Sequence, residues 1–257
     1  MGSERFIRFV IFASYGNDSC ALIQWAHEWQ LEGVAVVYSD TGWATKEWRQ
    51  RVEEKEAWAQ SLGFWTYRTE SIGFPNLARE KKGFPTQRYQ WCSFRLKIEP
   101  GMRWLDEHDP HKSAVCLVGA RRDEAKSPED SRAKFPEYLV RSDNHGGRLM
   151  LAPFVCWDAT ARDELLHRAG IEPLPHRSRE CRCINSNKSD MRLWTEDDIA
   201  EMRALEAEIG KPIFRPARHM GAKGIDEVVR WANSPRGKYG AEVEEDLFGC
   251  STGWCEA

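Results

Sequence analysis

Apolar positions along the first 120 residues follow two alternating patterns. Short runs of apolar and β-branched residues are typical of buried strands, and the segments between them repeat apolar residues every three to four positions, as amphipathic helices do. The predicted strands are 6–13, 33–40, 64–68 and 114–120, and the predicted helices are 18–31, 44–62 and 93–106. Strands that alternate with helices favour a parallel sheet with crossover helices. The fold class is therefore predicted as α/β, with a doubly wound, mostly parallel sheet.

The pattern changes in the second half of the chain. Residues 121–148 are charged and rich in turn formers, which predicts a loop or a short hairpin over one end of the sheet. Residues 151–158 are predicted as a short strand, followed by a helix that Asp158 caps and Gly170 ends. A strongly amphipathic helix is predicted at 196–209.

Length and charge limit the kind of protein that this chain can be. We expect an α/β domain at 1–175 and a small C-terminal helical, Cys-containing region at 176–257 packed on it. The net charge of −3 excludes a strongly basic protein that binds nucleic acid through charge alone. No apolar run approaches the roughly 18 residues that a membrane span needs. A cytoplasmic protein with no membrane partner is therefore expected.

Seven of the eight cysteines fall into two classes by sequence context. In a reducing compartment, closely spaced pairs indicate metal or redox chemistry before disulfides. Cys181 and Cys183 form a C-x-C pair in an Arg-rich stretch, and Cys250 and Cys255 lie together in a Gly/Ser/Thr segment. Brought together, the two pairs would form a four-thiolate site for an iron–sulfur cluster or zinc. Three cysteines in apolar contexts are interpreted as buried core thiols, namely Cys20, Cys116 and Cys156.

A short polar loop joins the first predicted strand to the first predicted helix. A helix N-terminus presents free backbone amides and the positive end of a dipole, so a Gly- and Ser-containing loop at this point is suited to an anion. Gly16 allows close approach of a ligand, and the hydroxyls of Ser14 and Ser19 can donate to phosphate oxygens. The alternative is an ordinary turn in which Asp18 caps the helix.

Five segments match, in order along the chain, the motifs of one superfamily. Ser14, Gly16, Asp18 and Ser19 match the loop S-G-G-x-D-S, in which Tyr15 replaces the first glycine. The later segments are YSDTGWATKEWRQRV at 38–52, WCSFRLKIEPGMRWL at 91–105, VGARRDEAKSPEDSR at 118–132 and LAPFVCWDATARDEL at 151–165. Together they resemble the adenine nucleotide alpha hydrolases, the pyrophosphate-loop superfamily of ATP pyrophosphatases and phosphoadenylylsulfate (PAPS) reductases. The chain is identified as PAPS reductase-like, and its segment 91–100 is also similar to the DNA phosphorothioation ATP pyrophosphatases.

The resemblance implies a nucleotide site at the carboxyl ends of the strands of domain 1–175. The loop residues that it assigns to the phosphates are Ser14, Tyr15, Gly16, Asn17, Asp18 and Ser19. Asp40 would bind ribose or adenine, or Mg²⁺ if ATP is the nucleotide, unless it caps the next helix with Thr41. Gly119 and Arg121 stand where the family has a nucleotide-contacting arginine, and the neighbouring Arg122 is the alternative contact.

The segment 91–100 supplies further candidates. Arg95 and Lys97 would lie over the polyphosphate, or else on a solvated helix surface. Adenylylsulfate reductases hold a 4Fe–4S cluster with a Cys-Cys pair and a later Cys-x-x-Cys, and here Cys92-Ser93 replaces the first pair. The preferred ligands are Cys181, Cys183, Cys250 and Cys255, with Cys92 as a substitute ligand or a thiol working beside the nucleotide. The residues expected to take part in catalysis are Asp18, Ser19, Arg121 and Cys92.

Three functions remain open at this stage. The chain lacks the E-C-G-L-H motif that carries the reductase nucleophile, which favours hydrolysis of ATP to AMP and pyrophosphate to activate an acceptor for sulfur transfer. Arginines and lysines interleaved with aromatic residues at 79–103, and a basic stretch at 211–238, are compatible with a nucleic-acid acceptor. The alternatives are a PAPS or adenylylsulfate reductase served by a thioredoxin-like protein, and a non-catalytic nucleotide-binding module. A sulfur donor is implied as a partner by the first function, and a homodimer is compatible with all three.

Overall fold

One mixed sheet forms the centre of the molecule. The computed structural model describes residues 6–86, 88–125, 127–129, 131–214 and 224–234. Within these ranges, six strands pair in the order β3-β2-β1-β4-β6-β5. They are β1 Phe9–Phe12, β2 Val34–Ser39, β3 Trp65–Thr69, β4 Val115–Leu117, β5 Val140–Ser142 and β6 Arg148–Leu151. Neighbouring strands are parallel except β5, which runs antiparallel to β6. The predicted α/β class and mostly parallel sheet are confirmed.

The connections of the sheet reverse direction between β1 and β4. From β1 the chain winds outward through β2 to β3, and then returns to the other side of β1 to form β4. Val10 and Ile11 of β1 and all six residues of β2 are buried, since helices cover both faces of the sheet. In open α/β sheets, such a reversal leaves a crevice at the carboxyl ends of the two strands, and ligands bind there.

The helices begin at residues with suitable capping side chains. Thr45 accepts a hydrogen bond from the Trp48 amide, Asp158 accepts one from Ala161, and Thr195 forms a capping box with Asp198. The helices are α1 Asn17–Glu28, α2 Lys46–Ser61, α3 Phe74–Lys81, α4 Trp91–Ser93, α5 Glu99–His108, α6 Ala159–Arg168, α7 Lys188–Arg192, α8 Glu196–Ile209 and α9 Ile225–Ala232. The predicted cap at Asp158 is confirmed, and Gly170 follows this helix with a φ of +67°. None of the helices in the described ranges is long and apolar enough to cross a membrane.

Four apolar cores hold the described elements together, and the smallest of them contains Val118, Met150, Ala152 and Val155. Helices α1, α2 and α6 pack on one face of the sheet, and Trp104 and Leu105 of α5 pack on the other. A third core joins the later helices to the first part of the chain, where Trp43, Phe74 and Leu77 contact the buried side chains of α7, α8 and α9. The segment after 175 thus packs on the sheet-containing part, while the domain boundary itself stays a prediction.

Sequence patterns misplaced some elements. Residues 151–158 are not a strand, because β6 ends at Leu151 and the following residues turn, with Trp157 donating to the Phe154 carbonyl at 2.8 Å. Pro153 has no amide to donate to a sheet neighbour. The hairpin expected within 121–148 is present as the β5–β6 pair, which extends to Leu151. Cys156 is exposed in the turn, so its assignment to the core is wrong, whereas Cys20 and Cys116 are buried.

Candidate functional site

The loop after β1 ends in the first turn of α1 at the predicted crevice. Gly16 is the extended residue that precedes α1, and no side chain in the described residues caps this helix end. Ser14 Oγ accepts from the Gly16 amide at 3.4 Å, and Ser19 Oγ donates to the Gly16 carbonyl at 3.3 Å. The alternative of a turn capped by Asp18 is therefore wrong. An uncapped helix N-terminus with two hydroxyls beside it is suited to binding an anion.

Tyr15 adopts the left-handed conformation that a glycine would adopt without strain. Its φ is +59°, which costs a non-glycine residue about 1 kcal/mol. The side chain is fully buried in the core beneath the sheet end, with its ring 6.0 Å from that of Tyr38. Burial raises the pKa of its hydroxyl, which has no hydrogen-bond partner in the described residues. Because the ring packs into the core, it does not occupy the ligand side of the loop.

Helix α2 holds the backbone of the loop in place. Trp48 Nε1 donates to the Ser14 carbonyl at 3.1 Å, and Arg51 Nε donates to the Tyr15 carbonyl at 2.8 Å. Asn17 is fixed in turn by two hydrogen bonds with the backbone of Leu174, each 2.9 Å long. A site whose backbone is held before the ligand arrives loses less entropy on binding.

Asp18 joins the loop to a buried arginine. Arg121 Nε donates to Asp18 Oδ1 at 2.9 Å, and its other nitrogens donate to Asp123 and Glu124 at 2.6 Å each. Burial alone would lower the pKa of Arg121, but the charges of the three carboxylates raise it. Arg162 also donates to Asp18, at 3.4 Å. Three carboxylates therefore hold the Arg121 guanidinium at the edge of the loop.

The side chains of Arg121 and Arg122 lie in different places. Arg122 turns away from the loop and donates to the Phe135 carbonyl at 2.7 Å and to Glu137 at 2.5 Å. Gly119, at the end of β4, lies against the loop itself. A Cβ at this position would lie 3.2 Å from both the Cβ and the carbonyl oxygen of Asp18. The carboxyl ends of β1 and β4 therefore meet through Asp18, Gly119 and Arg121.

Asp40 lies at the neighbouring strand end. Its carboxylate is exposed and accepts from the Gly42 amide at 2.8 Å, just after β2. The alternative that Asp40 and Thr41 cap the next helix is wrong, because Thr45 is the capping residue and Thr41 Oγ1 donates to the Glu180 carbonyl. The carboxylate is free of helix capping and lies at the same edge of the sheet as the loop.

Arg95 and Lys97 occupy different environments although they are two residues apart. Both lie in a π-helical turn, Phe94–Ile98, that joins α4 to α5. Arg95 is 40% exposed and pairs with Glu99 at 3.4 Å on the helix surface. Lys97 is buried and forms an ion pair with Glu180. The prediction that Arg95 and Lys97 bind the nucleotide is not tested by these contacts. Lys97 lies in the interior, whereas Arg95 lies on the surface.

Three thiols lie near Lys97. Cys181 donates a hydrogen bond to Cys183, whose sulfur also accepts from the Asn185 amide at 3.4 Å. The bond from Cys181 lowers the pKa of Cys183 to about 6, whereas burial and the charge of Cys183 raise the pKa of Cys92 to about 11. In the described part of the chain, no three Cys, His, Asp or Glu residues are arranged to hold a metal ion. Cys250 and Cys255 lie outside the described residues, so the four-thiolate site stays a prediction.

Several residues of the site carry no motif. Trp48 and Arg51 are helical residues in a segment whose period indicates only an amphipathic helix. Arg162 lies on α6, and its contact with Asp18 joins positions 144 apart in the chain. Such contacts depend on how α2 and α6 pack around β1, and the residue pattern contains no signal for them.

Comparison with known proteins gives a family match and structural neighbours of low sequence identity. The sequence model of the phosphoadenosine phosphosulfate reductase domain matches residues 8–206. A PAPS reductase from Candida auris, solved as a phosphate complex, is 16% identical over 65% of this chain and 75% of its own, with a TM-score of 0.46. An NH3-dependent NAD synthetase from Campylobacter jejuni, solved with nitrate, is 14% identical over 84% and 90%, with a TM-score of 0.41. No curated protein matches the chain.

The family match covers most of the chain and includes every described residue of the loop, Asp40, Gly119, Arg121 and the two thiols Cys181 and Cys183. The resemblance to PAPS reductases found in the sequence motifs is thereby confirmed. The chain belongs to the phosphoadenosine phosphosulfate reductase domain family.

Proposed function

We propose that the protein hydrolyses ATP to AMP and pyrophosphate and uses this step to activate an acceptor for sulfur transfer. The observation that carries the proposal is the junction of the phosphate loop with Arg121 at the crevice between β1 and β4. This junction offers amides, hydroxyls and a fixed cation, which together suit a polyphosphate. Since the Tyr15 ring is buried in the core, the departure from the family's glycine leaves room for the ligand.

The proposed reaction has two steps. An acceptor oxygen attacks the α-phosphorus of ATP, the bond to the bridging oxygen breaks, and pyrophosphate leaves with the electron pair while the acceptor proton passes to solvent. The sulfur donor then attacks the activated acceptor and displaces AMP. In the first step, the α1 amides and Ser14 and Ser19 would bind the departing phosphates, and Arg121 would stabilise their negative charge.

Divalent cations accompany ATP in solution, and the residues present fit one. Mg²⁺ prefers carboxylate oxygens, and Asp40 offers an exposed carboxylate at the same sheet edge as the loop. Asp40 would hold the ion, and the ion would neutralise phosphate charge when bound. Asp18 has the different role of orienting Arg121.

The thiols support a cluster as the accompanying cofactor. The Asn185 amide donates to the Cys183 sulfur at 3.4 Å, as amides commonly do around iron–sulfur clusters. We propose Cys181, Cys183, Cys250 and Cys255 as ligands of a 4Fe–4S cluster, with Cys92 as the substitute and zinc as the alternative metal. Iron and zinc analysis of protein purified without oxygen tests this. A preparation free of iron and without visible absorbance would contradict the cluster.

The acceptor is proposed as nucleic acid, on one surface of the described chain. Tyr89 and Phe94 are 74% and 49% exposed, which leaves their rings available for stacking on bases. Arg79 and Arg95 lie in the same region but pair with Glu208 and Glu99. Stacking, more than charge, would therefore contribute to binding at this surface.

Reduction of a sulfonucleotide is the second candidate, and the family match itself favours it. Pyrophosphate release from ATP, measured with and without nucleic acid, tests the first function. Sulfite release from PAPS or adenylylsulfate in the presence of a thioredoxin tests the second. Sulfite release without pyrophosphate release would replace our proposal with the reductase. Nucleotide binding without either product would identify a binding module.

A further inference from the structure

A segment after the main domain crosses the phosphate loop. We call residues Leu174–Cys183 the strap. Backbone and side-chain hydrogen bonds attach it both to the start of α1 and to the loop between β2 and α2. The bonds are the two between Asn17 and Leu174 at 2.9 Å, Thr45 N to the Arg179 carbonyl at 3.2 Å, and Thr41 Oγ1 to the Glu180 carbonyl at 2.8 Å. The strap is therefore fixed across the two loops that carry the nucleotide-site candidates.

Ser178 is the point of the strap nearest to the phosphate loop. A Cβ at Gly16 would lie 3.4 Å from Ser178 Cβ and 3.9 Å from its Cα, so the two backbones are in close contact. The Ser178 hydroxyl is buried and has no hydrogen-bond partner in the described residues. A buried hydroxyl normally has a partner, because leaving it unsatisfied costs about 1–3 kcal/mol. An unsatisfied donor beside an anion loop indicates a position for a ligand oxygen.

The surroundings of this hydroxyl favour an anion. A cavity of about 50 Å³ adjoins Ser178, and the basic side chains of Lys97, Arg177 and Arg179 line it. Two carboxylates, those of Glu180 and Asp190, also line it, as do the thiols of Cys181 and Cys183, and Glu180 is paired with Lys97. A cavity of this size accepts one or two small groups, such as part of a phosphate, and excludes a base or a ribose.

We propose that Ser178 is a phosphate-binding residue and that the strap forms the second wall of the nucleotide site. Its Oγ would donate to an oxygen of the phosphate held by the amides of α1, opposite Ser14 and Ser19. This inference rests on the proposed binding of an adenine nucleotide at the loop.

The test compares the affinities of the wild type, Ser178→Ala and Ser189→Ala for ATP and for adenosine by calorimetry. Ser189 lies outside the cavity, is exposed and donates its hydroxyl to Asn187 Oδ1, so it serves as the matched control. Ser178→Ala should bind ATP about tenfold more weakly, because it loses a hydrogen bond to a charged phosphate oxygen. Adenosine has no phosphate, so its affinity should not change. Ser189→Ala should bind both as the wild type does.

Thermal unfolding separates a binding role from a structural one. Removing an unsatisfied buried hydroxyl does not lower stability, so Ser178→Ala should melt at or above the wild-type temperature without ligand, and ATP should raise its Tm less than that of the wild type. Unchanged ATP affinity, or an equal loss for ATP and adenosine, would overturn the role of Ser178 and leave the proposed function standing. A wild type that binds neither ATP nor PAPS would overturn both.

Discussion

Two buried arginines lie at opposite ends of the same sheet. Arg121 follows the carboxyl end of β4, and Arg148 begins β6 at the amino end, where the neighbouring strands pair Val115 with Leu149. Arg121 is 3% exposed and Arg148 is fully buried. Both are paired with carboxylates, so charge and burial alone do not separate a binding residue from a structural one.

Their partners do separate them. Arg148 donates to Asp109 Oδ2 at 2.7 Å and to the backbone carbonyls of Asp109, Leu105 and His145 at 2.6, 2.9 and 3.3 Å. Carbonyls belong to the fold and cannot move aside for a ligand. The partners of Arg121 described above are all side-chain carboxylates. The side chains of Asp18, Asp123 and Glu124 are 16%, 35% and 18% exposed. Such partners can rotate, which leaves Arg121 able to exchange a carboxylate for a phosphate.

The largest effect is expected at Arg148. Arg148→Met keeps much of the volume but removes the guanidinium donors to the buried carbonyls and leaves the Asp109 carboxylate without its cation. Breaking a buried ion pair from one side costs about 3–5 kcal/mol. Urea unfolding should show this loss in the free energy of unfolding. A variant as stable as the wild type would mean that Arg148 is not the structural member of the pair.

The second prediction concerns pH at the same end of the sheet. Burial, with the charge of Arg148, lowers the pKa of His145 to about 4. The pKa of a histidine in the unfolded chain is about 6.5, so the stability that neutral His145 contributes is complete above about pH 6.5. This stability is lost as the pH falls towards 4, by on the order of 3 kcal/mol. His145→Gln should flatten the dependence of stability on pH in this window. An equally steep loss in the variant would assign it to other groups.

The third prediction tests the other arginine. Arg121→Ala should weaken ATP or PAPS binding at least about tenfold, because it removes a charged donor from the phosphate edge. Its partners are partly exposed and regain water, so the free energy of unfolding should fall by less than about 2 kcal/mol. Lys134→Ala, a change in the short helical turn Ser131–Lys134, is a control expected to leave affinity unchanged. Unchanged affinity in Arg121→Ala would remove this residue from the site.

Sequence patterns predicted the regular strands and helices better than the short helices and turns. The alternation of strands and helices up to β4 was sufficient, because each buried run is bounded by a clear change of period. Helix α3 was missed, since its eight residues carry little period and its buried Leu77 and Ala78 belong to the core shared with α8. The run at 151–158 was apolar enough for a strand, but Pro153 and the turn decide otherwise.

The site was predictable where the chain itself brings residues together. The loop Ser14–Ser19 is continuous in sequence, and Gly119 and Arg121 follow the next strand of the sheet. The choice between Arg121 and Arg122 needed the contact with Asp18, which no local pattern contains. The direction of the Tyr15 ring and the approach of Ser178 depend on packing between distant segments and were likewise absent from the pattern.

The smallest effect is expected at Gly119, which connects the two strand ends at the site. Gly119→Ala would place a Cβ 3.2 Å from the Asp18 carbonyl oxygen and 3.3 Å from the carbonyl carbon, closer than ordinary contact. Backbone atoms adjust by a few tenths of an ångström, so we expect a loss of about 1 kcal/mol in stability. Because the adjustment moves Asp18 relative to Arg121, nucleotide affinity should fall severalfold, which calorimetry can measure. Gly83→Ala is a suitable control, because the nearest contact of its Cβ would be a flexible lysine side chain at 3.7 Å. Gly63→Ala is not suitable, because Gly63 has a φ of +89° and an alanine there would be strained. If Gly119→Ala and Gly83→Ala bind nucleotide equally well, the contact between β4 and the loop does not position Asp18.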